Sequence, residues 1–244
     1  MVTKNQIKLI KSLHQKKNRK EFQLFIAEGI KVIDELLKSS IELDHIYAIE
    51  PLELGVSTSK FTIVSSDDLK KMSALSSPSN CLAVFKIPKQ KEVDYNNLIV
   101  ALDDVRDPGN LGTIIRLCDW FGIEDIICSK ETVDIYNPKV VQATMGSIAR
   151  VNIIYGDLSS LIKSANDLPV FGTFLDGKNI YTEVLPSQGI IIMGNEANGI
   201  SNEIESLVNN RITIPRFGKL QQTESLNVAM ATSIVLSEFK RNEV

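Results

Sequence analysis

Six short segments in the second half of the chain most restrict what it can fold into. LIVALDD, EDIICS, VNIIY, LPVFGTFL and GIIIMG are each built around a short apolar run, and RITIPRF, where Arg and Thr flank the isoleucines, reads as a sixth strand. A strand with one wet face alternates; a strand covered on both faces does not, and two-sided burial is the habit of parallel sheets. Helical patterns fall between the runs: residues 110–121, ended by Gly122 as a left-handed cap, a start at Asn137-Pro138, and a last helix from about Ser225 to Lys240. The expected fold is therefore α/β, a mostly parallel sheet with helices on both faces.

The first ninety or so residues read as a smaller α/β unit. A helix over residues 4–17 carries Ile7, Ile10 and Leu13 between lysines, followed by strands FQLFIAEG, HIYAIE, FTIVS and CLAVFKI. KVIDELLKS and DDLKKMSAL are its other helices, the latter capped by Ser65 or Ser66. PKQKEVDYNN is polar and aperiodic, so the division is drawn as residues 1–92 and 97–244. No apolar run reaches membrane-spanning length and the lysine-broken N-terminus lacks a secretory pattern, which makes the cytoplasm the expected compartment. Cys81, Cys118 and Cys128 have no C-x-x-C spacing and the histidines are His14 and His45 alone, so neither a metal site nor a disulfide framework is expected.

Net charge is −3, yet Lys4, Lys8, Lys11, Lys16, Lys17, Arg19 and Lys20 lie in the opening stretch without an acid among them. That run is either a solvated helix face or a phosphate-contacting surface, and Lys16, Lys17, Arg19 and Lys20 are its candidate RNA contacts.

Three polar corners follow apolar strands. The first is LDDVRDPGNLGTIIRLCDWFG, with Asn110 at the expected helix cap and Arg116 on a face shared with Gly112 and Asp119. The second is MGNEANGIS, where Glu196 stands between Gly194 and Gly199. The third is PRFGKLQQTESLNVAMATS, where Thr223 or Ser225 can cap the last helix beside Asn227. There is no G-x-G-x-x-G, which disfavours a dinucleotide site. GTFLDGKN matches a phosphate loop except that Asn179 replaces the Mg²⁺-binding hydroxyl; a P-loop nucleotide hydrolase is the weaker alternative.

In this order the three corners resemble the signature motifs of SpoU/TrmH-type RNA 2′-O-ribose methyltransferases of the SPOUT superfamily, over residues 98–244. The beginning, IKLIKSLHQKKNRKEFQLFIAEGIKVIDELL, is similar to the substrate RNA-binding domain that many members carry in front. The resemblance implies S-adenosylmethionine as donor, a homodimer formed through the C-terminal domain, and a deep trefoil knot. It also implies ribosomal RNA before transfer RNA as substrate, by analogy of layout. Carried over by position, Asn110, Arg116, Glu196, Ser225 and Asn227 are the catalytic candidates. Main chain near Thr173, Met193, Gly194, Ile214 and Leu226 would contact the donor, with GTFLDGKN a cofactor-side loop. Arg116 would then orient an RNA phosphate and stabilise a ribose alkoxide, Glu196 would position it and Asn110 would hold the loop. A guanidinium keeps its proton too firmly to serve easily as general base. The Gly218–Ser225 span is longer than the family pattern, and Arg216-Phe217 replaces a common methionine. An RNA-binding protein that keeps the fold without catalysis is the other alternative.

Overall fold

A computed structural model describes residues 2–218, 220 and 225–241. Its contacts separate into two units: residues up to Lys89 together with Asp134–Arg150, and Gln90–Val133 with the chain from Val151 onward.

The first unit begins with α1 (Lys4–Ser12) and α2 (Lys16–Phe22), then β1 (Leu24–Glu28), α3 (Ile30–Leu37), β2 (Leu43–Ala48), β3 (Phe61–Ile63), α4 (Ser66–Met72) and β4 (Cys81–Lys86). The expected single helix over 4–17 is two: the chain turns at Leu13–Gln15, and Arg19 donates back to the carbonyls of Leu13 and His14 at 2.8 and 2.9 Å. Ser65 caps α4 by accepting from the Asp68 N–H. The sheet runs β1-β4-β2-β3, antiparallel except for β2–β3. Ile26, Tyr47, Leu82 and Val84 meet Ile10, Leu13, Leu69 and Met72 on one face.

Asp134–Arg150, expected in the second domain, packs with this first unit. It carries α6 (Pro138–Thr144), with Asn137 as N-cap and Pro138 as first residue. Tyr136 lies 4.8 Å from Phe25, ring to ring, and Arg150 pairs with Glu35 at 3.0 Å. The two units are thus not divided by one cut near residue 95, because an apolar surface on β1 and α3 is covered by a segment from later in the chain.

In the second unit β5 (Leu98–Leu102), α5 (Pro108–Trp120), β6 (Asp125–Ser129), β7 (Asn152–Gly156), α7 (Leu158–Lys163), β8 (Val170–Asn179), β9 (Gly189–Met193), α8 (Asn202–Glu205), β10 (Asn210–Thr213) and α9 (Val228–Lys240) follow in order. The sheet is six-stranded and parallel throughout, ordered β10-β8-β9-β5-β6-β7. β5, β6 and β9 are buried at every residue, which explains the unbroken apolar sequences of β5 and β9 and the apolar centre of β6 between the buried Asp125 and Ser129. Ile99, Ala101, Ile190 and Ile192 face α7 and α8. α5 and α9 pack on each other, and Phe171 meets Phe239 edge to face. Gly122 ends α5 with φ 67°, as its sequence position requires.

GTFLDGKN lies inside β8 and no helix opens after it. A phosphate loop needs a helix N-terminus behind it, so the hydrolase alternative is overturned. No helix among the described residues is long and apolar enough to cross a membrane, and no group of metal-ligating side chains occurs among them.

Candidate active site

The site gathers where β5, β8, β9 and β10 end, the edge at which parallel sheets expose strand termini to ligands. Asp107, not Asn110, is the N-cap of α5: its Oδ1 accepts from the Asn110 N–H at 2.8 Å. Asn110 is consequently three residues into the helix, with its side-chain amide released from capping. That amide donates to Glu196 Oε1 at 2.9 Å, and its own Oδ1 accepts from Asn227 Nδ2 at 2.9 Å. Asn227 in turn caps α9, its Oδ1 accepting from the N–H groups of Ala229 and Met230. Ser225 is therefore not the cap; it is exposed two residues earlier, and Thr223 lies outside the described residues. The three corners of sequence are joined by one hydrogen-bonded chain, Glu196–Asn110–Asn227, and the direction of each amide is fixed by its neighbour.

Two further residues hold this chain in place. Asn195 donates to the carbonyl of Asp104 at 2.7 Å and to its carboxylate at 3.2 Å, while its Oδ1 accepts from Ala197 and Asn198. Asp104 adopts φ 59°, a left-handed conformation that costs a non-glycine residue free energy. Its N–H donates to Ser129 Oγ and its carboxylate holds Arg106 Nε at 2.7 Å, which pushes the arginine's ionisation still higher. Beneath them the buried Asp103 accepts from the Ser201 N–H at 2.7 Å. Gly194 is required by close approach: a Cβ there would run into the main chain of Gly199 and Ile200, where Asn195 and Gly199 exchange two backbone hydrogen bonds. Asp104 and Asn195 escaped sequence reading, although Asn in a Gly-flanked turn is the residue type that fixes such loops.

Arg116 does not join that chain. It is exposed on a stripe with Gly109, Thr113 and Trp120, and makes no hydrogen bond or ion pair among the described residues. Gly112 is on the buried side instead of sharing Arg116's open face. Glu196 engages Asn110, so the expectation that it positions Arg116 is not met within one chain.

The donor candidates fall at neighbouring strand ends. Thr173 Oγ1 donates to the Ile192 carbonyl at 3.3 Å, beside the buried Met193 and Gly194. Ile214 lines a pocket of about 280 Å³ with Leu175, Thr213, Pro215 and Arg216. Leu226 is half exposed.

Of the basic candidates, Lys16, Lys17 and Lys20 are exposed, but Arg19 is a correction. It is 2% exposed and forms an ion pair with Asp134 at 2.5 Å, so it is spent inside the first unit. Burial pushes the thiols of Cys81, Cys118 and Cys128 up, which leaves them as inert core groups.

Comparison with known proteins matches residues 97–237 to the SpoU rRNA Methylase family and residues 4–83 to the MRM3-like substrate binding domain. The chain belongs to the SpoU rRNA methylase family. One family relative is the 23S rRNA (guanosine(2553)-2′-O)-methyltransferase RlmP of Bacillus subtilis, 30% identical over 96% of this chain and 95% of its own. A TrmH-family structure from Porphyromonas gingivalis is 36% identical with a TM-score of 0.89, covering 99% of both chains. The AdoMet-bound rRNA methyltransferase of Sinorhizobium meliloti is 30% identical with a TM-score of 0.86, over 100% of this chain and 97% of its own.

Proposed function

We propose that this chain transfers a methyl group from S-adenosylmethionine to a ribose 2′-hydroxyl of structured RNA, ribosomal rather than transfer RNA. The observation that carries the reading is the Glu196–Asn110–Asn227 chain, assembled from the family's three motif segments. Methyl transfer from this donor is the chemistry of the family, and the relative from Bacillus subtilis and the donor-bound one from Sinorhizobium meliloti support ribosomal RNA.

The residues present fit the donor. Leu175, Ile214 and Pro215 offer an apolar slot for a nucleobase, and the missing Cβ at Gly194 lets the Gly199–Ile200 main chain close in beside Met193, which shapes the loop at the strand end. Thr173, Met193, Gly194, Ile214 and Leu226 would hold it. When bound, the donor supplies an electrophilic methyl on a sulfonium.

The protein's task is the nucleophile, since a ribose hydroxyl hardly ionises near neutral pH. Arg116 supplies fixed positive charge for an RNA phosphate and the developing alkoxide. Asn110 and Asn227 hold Glu196 in one orientation, leaving its other oxygen open, and Ser225 stands exposed beside Asn227 for the ribose. The proton leaves to a phosphate oxygen or water. Lys16, Lys17 and Lys20 give the front unit its phosphate-contact face.

The active form in this reading is a homodimer in the cytoplasm, joined through the C-terminal unit. Exposed Trp120 on α5 and Met230 on α9 support that interface, and Arg116 then works at a subunit boundary. The deep knot implied by the family is part of the same reading, supported by the non-sequential order with β9 between β8 and β5.

Calorimetry with S-adenosylmethionine and with ATP, followed by mapping of ribose methyls on RNA from cells lacking the gene, tests the reading. Micromolar binding of the first, none of the second and one missing methyl in ribosomal RNA are expected. Mg²⁺-dependent ATP binding alone would overturn it. Arg116→Lys should lower turnover at least about tenfold by losing the planar fork. Near-normal turnover would remove Arg116 from the chemistry.

A further inference from the structure

Arg211 is an unusual residue to find in the edge strand β10. Its two terminal nitrogens reach different elements, Nη1 to Glu205 Oε1 at 2.6 Å on α8 and Nη2 to Asp176 Oδ1 at 2.6 Å on β8. Its guanidinium also lies 3.5 Å from the centre of the Phe174 ring. Three contacts on one planar group leave it little freedom.

What it touches on β8 is the part that has left the sheet. Pairing passes from Gly172↔Arg211 to Lys178↔Ile212, and β8 pairs with β9 only as far as Gly172↔Ile192. Residues 173–177 therefore bulge outward with no ladder on either side. Thr173 pins one end through its hydroxyl. At the other end Gly177 lies so close to β10 that a Cβ would collide with the main chain of Ile212. Between these ends, Phe174 and Asp176 are the residues Arg211 holds. The residue between those two is Leu175, 68% exposed and part of the wall of the pocket that Thr213–Arg216 complete.

We infer that Arg211 is a positioning residue for the donor: by gripping Phe174 and Asp176 it holds Leu175 in the pocket wall against the nucleobase end of S-adenosylmethionine. The inference rests on the donor reading above and assigns a task to residues outside the three motifs. An unladdered bulge would otherwise sample many conformations, and each binding event would have to order it. Arg211 does that ordering in advance.

Titration calorimetry with S-adenosylhomocysteine as probe, on the full-length protein, tests this. Asp176→Ala should weaken binding about fivefold, the upper range for an exposed ion pair. Arg211→Ala, which also loses the ring contact, should weaken it about tenfold. Glu205→Ala leaves the grip on the bulge and should lose less than Asp176→Ala, and Asp176→Glu should restore affinity to within about twofold. In turnover assays the donor KM should rise by the same factors with kcat unchanged, while the unfolding midpoint of Asp176→Ala stays at the wild-type value. Should Arg211→Ala fail to fold, the Asp176 and Glu205 variants still decide. Wild-type affinity in Asp176→Ala, or an equal loss in Glu205→Ala, overturns the role of Arg211. A wild-type protein that does not bind the probe overturns the donor reading itself, and this inference with it.

Discussion

At the residue scale, the site depends on amides whose direction is dictated by their partners. Asn110 gives its N–H₂ to Glu196 and its oxygen to Asn227, and Asn227 gives its oxygen to the helix behind it. A carboxamide donates from its nitrogen and accepts at its oxygen, which neither an aspartate nor a leucine in its place can do. Asn110→Ala should lower methyl transfer about a hundredfold, the scale of losing one preorganised polar group, while donor affinity measured by calorimetry stays within about twofold. A loss of both together would make Asn110 a general structural residue. The types of these residues were legible in the sequence and their roles at the caps were not. D-P-G-N offers two Asx residues for one cap, and S-L-N offers a serine and an asparagine; local preference ranks them nearly equally. Tertiary contacts decided between them. Asp107 took the first cap and left the Asn110 amide to Glu196 and Asn227, while Asn227 caps α9 with its oxygen and reaches Asn110 with its amide N–H.

At the scale of elements, the central parallel strands β5, β6 and β9 were the most readable part, because burial on both faces leaves an apolar run in the sequence. The break between α1 and α2 was not readable, since lysine-rich helix formers continue through it. What breaks the helix is Arg19, which takes the carbonyls of Leu13 and His14 and pairs with Asp134 far along the chain. Charge type alone could not distinguish it from Lys17 or Lys20. The two kinds of cation predict opposite phenotypes. Arg19→Met strands the largely buried Asp134 and should cost about 3 kcal/mol in denaturant unfolding, with the salt dependence of RNA binding unchanged. Replacing Lys17 and Lys20 by Gln together should leave stability within about 0.5 kcal/mol and reduce the slope of log affinity against log salt by about 1 to 2. Equal effects of the two sets on RNA binding would remove the distinction.

At the scale of the molecule, the unexpected feature is that Asp134–Arg150 completes the first unit. Nothing local could reveal it: Asn137-Pro138 announces a helix but not what the helix packs on. The covered surface includes Phe25 against Tyr136 and the fully buried Val140 and Val141. A fragment of residues 1–92 should therefore be less stable than the same fragment with a 134–150 peptide added. Calorimetric melting should show an upward shift of several degrees on saturation with that peptide. No shift would mean that the first ninety residues are self-sufficient. The arrangement also bears on how the protein is made. A nascent chain that has just emerged with its first four strands still lacks the helix that closes them, and must wait at the ribosome until another sixty or so residues are polymerised. During that wait, several seconds at ordinary elongation speeds of about 5–20 residues per second, an apolar face stands open to chaperones.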